Sequence, residues 1–388
     1  MAMVLGVFGL GAIELGCVEE EAVEEILDLD LVRRSLVERT EEGYRLHSLV
    51  REFLREKLAE TEDETAGNAK VVRLKCSNGM DDILIKYNKE GQYLKAILLG
   101  EQALEIRKSE LGDRHPDTVT SMNNLALLYE SMGQYDRALP LFEVALEIWK
   151  SDLGDRHPDT TTSMNNLAGL YYSMGQYDRA LPLYEVALEI RKSELGDRHP
   201  STAQGMNNLA LLYESMGQYD RALPLYEVAL EICKSELGDR HPDTATSLNN
   251  LAGLYKSMGQ YDRALPLYEV ALEICKSELG DRHPDTATSL NNLAGLYKSM
   301  GQYDRALPLY EVALEICKSE LGDRHPDTAT SLNNLAGLYK SMGQYDRALP
   351  LYEQAVDILE EVLGQEHPNT KAVQENLRLL REKMGIEN

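Results

Sequence analysis

Three groups of residues have the types and spacing to do chemistry. The first is Asp113, His115 and Asp117, a pattern that returns 42 residues later as Asp155, His157 and Asp159 and again in later copies. Carboxylates and imidazoles are metal ligands. This spacing matches no recognised metal site, and a His beside a helix start can hydrogen-bond or pack there instead. The structural role is the expectation. The second group is Cys233, Cys275 and Cys317, one per copy. Stacked helices lie about 8–10 Å apart, farther than the Cα separation of a disulfide. These thiols are expected to be small, partly buried side chains. Trp149 and Arg191 hold the same position in other copies, which suggests a place near the surface. The third group is a ladder of amides, Asn123, Asn165, Asn207, Asn249, Asn291 and Asn333, beside Lys256, Lys298 and Lys340. His47 is the only His outside the copies, and no motif pairs it with a Ser or Cys nucleophile. No catalytic residue, metal site or cofactor site is therefore expected, and the chain is not expected to be an enzyme.

The elements that carry these residues are repeats. His-Pro occurs at His115, His157, His199, His241, His283, His325 and His367, always 42 residues apart. Gly-Gln-Tyr begins at Gly91, Gly133, Gly175, Gly217, Gly259, Gly301 and Gly343, with the same period. Residues 235–276 and 277–318 are identical, a sign of recent duplication. Each unit reads as two helices, A and B. In residues 117–131, Met122, Leu125, Ala126 and Tyr129 share one helical face. Pro116 suits a first helical position, Asp117 suits the N-terminal dipole, and Gly133 ends the helix. Helix B is predicted over Tyr135 to Leu153, with Ala138, Leu141, Phe142, Ala145 and Ile148 inward and Gly154 as its stop. Pro140 should cost one backbone hydrogen bond or a small kink.

This pattern resembles the tetratricopeptide repeat. With Gly133 at the turn, Leu125, Ala126, Tyr129, Tyr135, Ala138, Phe142 and Ala145 match the family's packing positions. Lys150 stands where the 34-residue form has a helix-ending Pro. The longer unit, with Asn-Asn-Leu-Ala and Gly-Asp-Arg-His-Pro, is similar to the kinesin light chain type of these repeats. The resemblance covers residues 79–384. It implies an all-α, right-handed superhelical solenoid of seven hairpins, the first degenerate at Asp81-Asp82-Ile83. A polar capping helix is expected at residues 369–384.

Residues 1–60 do not repeat. Residues 31–38 look helical, Thr40 to Arg45 looks like a hairpin around Glu42-Gly43, and Leu46 to Leu58 looks like a second helix. The string from Ser35 to Val37 and from Gly43 to Arg51 resembles the winged-helix segment of STAND-type (NB-ARC) ATPases. Those enzymes carry an upstream P-loop, and no Gly-x-x-x-x-Gly-Lys-Ser/Thr occurs here. Residues 61–78 read as a linker or an irregular first helix. Residues 1–18 are apolar but broken by Glu14, and no Lys or Arg precedes Arg33. Neither a signal peptide nor a membrane span is expected there.

Composition narrows the partners. The chain has 40 Lys plus Arg against 65 Asp plus Glu, a net charge of −25. Nucleic acid and anionic membranes are disfavoured, because both need clustered cations. Five Cys without dense spacing fit a reducing, cytoplasmic setting.

By resemblance, the stripe of Thr120, Asn123, Leu127 and Glu130 on helix A faces a concave groove. A primary amide donates and accepts, so the Asn ladder suits an extended backbone. The competing reading has the amides bridge repeats, the second Asn of each pair more than the first. The site of Leu127 becomes Gly169, Leu211, Gly253, Gly295 and Gly337, so something approaches closely there. The site of Glu130 becomes Tyr172, Glu214, Lys256, Lys298 and Lys340, acidic early and basic late. The expected function is a non-enzymatic scaffold for a peptide or partner segment bearing acidic residues, with no small-molecule substrate. Two alternatives stay open: the sensor end of a STAND ATPase, and a kinesin light chain-like motor adaptor.

Overall fold

The computed structural model describes residues 37–40, 43–46 and 69–386. Strand β1 (Val37–Thr40) pairs antiparallel with β2 (Gly43–Leu46), in the register Val37↔Leu46 and Thr40↔Gly43. The hairpin sits where the sequence places it. Val37 and Glu38, expected to end a helix, lie in β1 instead, where the β-branched Val favours extended backbone. The rest of the helices expected around the hairpin, and with them the winged-helix reading, fall outside the described residues.

The chain divides into two compact units between Leu125 and Ala126. The first contains α1 (Ala69–Lys89), α2 (Tyr93–Leu111) and the start of α3 (Pro116–Ser131). Helix α1 begins at Ala69, inside the span read as a linker, and no Pro or Gly interrupts it before Gly79. Leu84, Tyr87, Ala96, Leu99 and Ala103 form its core. Arg107 is buried there. It pairs with Asp81 at 2.5 Å and donates to Asn78 at 2.7 Å and to Ser121.

The second unit runs from the end of α3 through α4 (Tyr135–Leu153), α5 (Pro158–Ser173), α6 (Tyr177–Leu195), α7 (Pro200–Ser215) and α8 (Tyr219–Glu236). It continues through α9 (Pro242–Ser257), α10 (Tyr261–Glu278), α11 (Pro284–Ser299), α12 (Tyr303–Glu320), α13 (Pro326–Ser341), α14 (Tyr345–Val362) and α15 (Pro368–Met384). Odd-numbered helices are the A helices. Ala168, Ala180 and Ala187 are at most 2 % exposed, so the backbones of a pair pack with almost nothing between them. Leu170, Leu212, Leu254 and Leu296 are fully buried. Gly133 has φ +65° and Gly154 φ +88°, left-handed turns that free each hairpin from continuing as helix.

Polar pairs recur beside this core. The His Nδ1 caps the A helix: His157 accepts the Asp159 N–H at 3.2 Å, and His199, His241, His283, His325 and His367 do the same. That bond occupies the Nδ1 lone pair. Arg179 lies over the Tyr171 ring, 4.0 Å from its centroid, and donates to its hydroxyl at 2.5 Å. The same hydroxyl donates to Glu143 of the preceding helix B at 3.1 Å, stitching successive pairs together.

One contact inside the second unit joins distant segments. The α3–α4 turn meets the start of α15. A Cβ added to Gly133 would lie 2.8 Å from His367 Cδ2 and 3.2 Å from Pro368 Cδ, whereas one added to Gly175, Gly217 or Gly259 would meet nothing within 4 Å. Met132 is buried there, while its equivalents Met174 and Met216 are half-exposed.

The position shared by Trp149 and Cys233 is a correction to the sequence reading. Trp149, Cys233, Cys275 and Cys317 are each 4 % exposed, not near the surface. Cys and Arg at this position meet the residue fourteen further on. Cys233 meets Ser247 Oγ at 3.3 Å, and Arg191 is half-buried where Gly205 leaves room, its guanidinium 3.2 Å from where a Cβ would stand. Burial pushes the three thiols up from the ordinary range, so they are poor nucleophiles.

Candidate functional site

The residues singled out by sequence lie on one stripe of the A helices. In the first unit, half-buried Asn123 donates to its own helix, to Val119 O at 3.3 Å. In the second unit the first Asn of each pair bonds across repeats. Asn207, Asn249 and Asn291 donate to Ser247, Ser289 and Ser331 of the next A helix at 3.0–3.2 Å. Asn165 and Asn333 accept from Asn208 and Asn376 at 3.0 and 3.1 Å. The Oδ1 atoms of Asn207, Asn249 and Asn291 are buried without a partner.

The varying positions of the stripe differ sharply along the unit. Glu130 accepts from Ser173 at 2.8 Å, and burial raises its carboxyl above the usual carboxylate range. The Tyr172 hydroxyl lies 3.0 Å from Ser215 Oγ, and its ring packs on Tyr177 with centroids 5.7 Å apart. Glu214 accepts from Ser257 at 2.9 Å and from the Tyr226 hydroxyl at 3.2 Å. Leu127 and Leu211 are exposed on the same stripe.

From Lys256 onward the chemistry changes sign. Lys256, Lys298 and Lys340 are half-buried, and among the described residues none of them pairs with a carboxylate within 4.0 Å. Burial lowers all three ammonium groups from the ordinary lysine value. Lys298 is lowered further by Lys256 and Lys340, and Lys340 by Lys383, with Glu375 opposing at Lys340. Three cations in line, each partly desolvated and none with a carboxylate within 4.0 Å among the described residues, form a strip of positive charge.

The helix-A glycines have a specific neighbour that sequence reasoning missed. A Cβ at Gly169, Gly253, Gly295 or Gly337 would lie 3.4–3.6 Å from the hydroxyl of Tyr184, Tyr268, Tyr310 or Tyr352, fifteen residues on in helix B. At Gly295 and Gly337 the Lys256 and Lys298 Nζ atoms also approach, to 3.0 and 2.9 Å. The sequence signal was the co-occurrence of these glycines with a helix-B Tyr.

Helical hairpins of nearly constant length, packed through small residues and joined by His-capped loops, define an α-helical repeat solenoid. The tetratricopeptide repeat model matches residues 87–151, 131–193, 159–235, 201–277, 243–319, 285–361 and 327–384, and the chain belongs to that family. Such repeats generally serve as non-enzymatic scaffolds for protein–protein interaction. Among solved structures, a kinesin light chain-like protein of Podosopora anserina with nearly identical TPR-like repeats is 31 % identical. That match covers 53 % of this chain and 97 % of that one, with a TM-score of 0.45. BtubC of P. vanneervenii is 28 % identical, over 62 % of this chain and 93 % of that one, with a TM-score of 0.46. The apo form of RapI is 18 % identical over 74 % and 98 %, with a TM-score of 0.54, a likeness of fold. No curated protein matches the chain. No helix among the described residues is long and apolar enough to cross a membrane.

Proposed function

We propose that the helix-A stripe of the second unit is a groove that holds an extended protein segment, with the acidic residues of that segment on Lys256, Lys298 and Lys340. The observation that carries this reading is that, among the described residues, none of those three half-buried ammonium groups has a carboxylate within 4.0 Å, Glu375 acting on Lys340 only from farther away, in a chain of net charge −25. A solvated lysine face would place its amines in water or beside one of the many Asp and Glu side chains. Here the cations face one another instead. The Asn amides contribute through the second hydrogen of Nδ2, since one end of each amide is spent between repeats. The reading is non-catalytic. The thiols are buried, and the imidazole Nδ1 atoms cap helices. Within this reading the partner is protein, not nucleic acid, membrane or small molecule.

The test is Lys256→Glu, Lys298→Glu and Lys340→Glu together, with binding of a Glu-rich peptide followed by fluorescence anisotropy. The variant should lose binding, keep its melting temperature, and abolish an affinity that falls steeply with added salt. Wild-type binding by the variant would place the function elsewhere. A second reading, the sensor end of a signalling ATPase, draws support from the β1–β2 hairpin. An upstream P-loop in the complete gene would favour it.

A further inference from the structure

Two places in this stripe are built alike and differ from all the others. Over Gly295, the Lys256 ammonium reaches across from the preceding repeat and the Tyr310 hydroxyl rises from the paired helix B. Over Gly337, Lys298 and Tyr352 do the same. Each place therefore brings together one cationic donor and one neutral donor above a backbone with no side chain. Neither hydroxyl has a hydrogen-bond partner among the described residues, and burial pushes both up to about 12, so they remain protonated donors at neutral pH.

The protein itself shows what fits beside such a hydroxyl. In the repeat before Lys256, Tyr226 occupies the place of Tyr310, and its hydroxyl donates to the Glu214 carboxylate at 3.2 Å. Glu214 stands where later repeats have Lys, and Leu211 where they have Gly. Ser257 adds a second hydrogen bond to that carboxylate at 2.9 Å. When Glu becomes Lys and Leu becomes Gly, the Tyr loses the carboxylate of its own hairpin and gains space, and the cation beside it comes from the repeat before. The serines withdraw as well. Ser299 and Ser341 bond their own helix, donating to Gly295 O and Gly337 O at 2.9 and 2.8 Å.

We infer that Lys256 with Tyr310 over Gly295, and Lys298 with Tyr352 over Gly337, are two repeated carboxylate sites. Each takes one Asp or Glu side chain of the segment in the groove. The inference rests on the proposed function and names its specificity residues. The sites also have edges. Tyr268 over Gly253 has Glu214, not Lys, as its charged neighbour, and that carboxylate repels an anion. Beyond Lys340, Leu379 replaces the glycine, and Glu382 replaces the lysine. The array thus offers two complete sites in consecutive repeats, and a ligand needs two acidic side chains one repeat apart to fill both.

The experiment compares a short labelled peptide alternating Glu and Ser with its Gln counterpart. Tyr310→Phe with Tyr352→Phe removes two donors and leaves every charge in place. Loss of a hydrogen bond to a charged group at each site predicts Glu-peptide binding weaker by about tenfold or more. The preference for Glu over Gln should shrink with it, while Tyr268→Phe should bind as wild type does. Gly295→Ala with Gly337→Ala, which sets a methyl against each ammonium, should weaken binding in the same direction. Thermal melts confirm that each variant folds. If wild type prefers Glu and both double variants match it, the carboxylate sites are wrong while the groove reading stands. If wild type binds Glu and Gln peptides equally or not at all, the groove reading fails and these sites fail with it.

Discussion

Gly133→Asn and Gly175→Asn are the same substitution at equivalent turns, and they should not have the same effect. Both glycines are left-handed, at φ +65° and +70°. Asn is the side chain that tolerates this region best, so the local cost is shared and cancels in the comparison. At Gly175 a new Cβ meets nothing within 4 Å. At Gly133 it would stand 2.8 Å from His367 Cδ2 and 3.2 Å from Pro368 Cδ, and the first of these is closer than real Cβ contacts allow. Pro368 is fixed as the first residue of α15, so the contact opens or strains. Overpacking of this kind costs about 1–3 kcal/mol, and that should be the stability difference between the two variants in urea. Small-angle X-ray scattering gives an independent readout. Gly133→Asn should have the larger radius of gyration if the contact opens. Equal stability loss together with identical scattering would refute the contact between the α3–α4 turn and α15.

Burial holds the His367 imidazole below its ordinary value of 6.5, with the Ser131 backbone opposing. The folded state thus favours the neutral ring, and its contribution is present above pH 6.5 and lost as pH falls below it. His367→Asn, which keeps a capping side chain, should flatten that part of the stability–pH curve in denaturant titrations. Leu293→Ala, at a residue 4 % exposed, should cost about 2–5 kcal/mol and split thermal unfolding into parts, read by calorimetry. A double-mutant cycle of Asn291→Ala and Ser331→Ala should give a coupling of about 0.5–1.5 kcal/mol in the absence of any peptide. Zero coupling would free the amide for a ligand alone.

Helix boundaries were legible because their causes are local. Helix B was predicted from Tyr135 to Leu153, and α4 has those ends, set by Gln134 before it and Gly154 after it. Relations between repeats were not legible. Cys233 and Arg107 share a buried position and meet Ser247 and Ser121, and the spacing of fourteen carries no familiar period. The Asn249 amide finds Ser289 forty residues on, through the rotation of one repeat against the next. The glycines did announce a close approach. Their neighbour is a tyrosine of the same hairpin, fifteen residues on. The meeting of Gly133 with His367 accumulates from many small rotations, and no single motif encodes such a sum.

That meeting bears on how the gene for this chain can change. Identical units at residues 235–276 and 277–318 invite misalignment during replication, which would add whole units and leave every junction chemically unchanged. An inserted unit would carry α15 past the turn at Gly133 and set it against the turn at Gly175. The same Gly-Gln-Tyr surface waits there. The coil therefore behaves as a ratchet with interchangeable teeth. Each added tooth brings one more lateral contact, so energetic coupling spreads between windings as well as along the thread. Longer descendants of this chain should gain rigidity faster than they gain length.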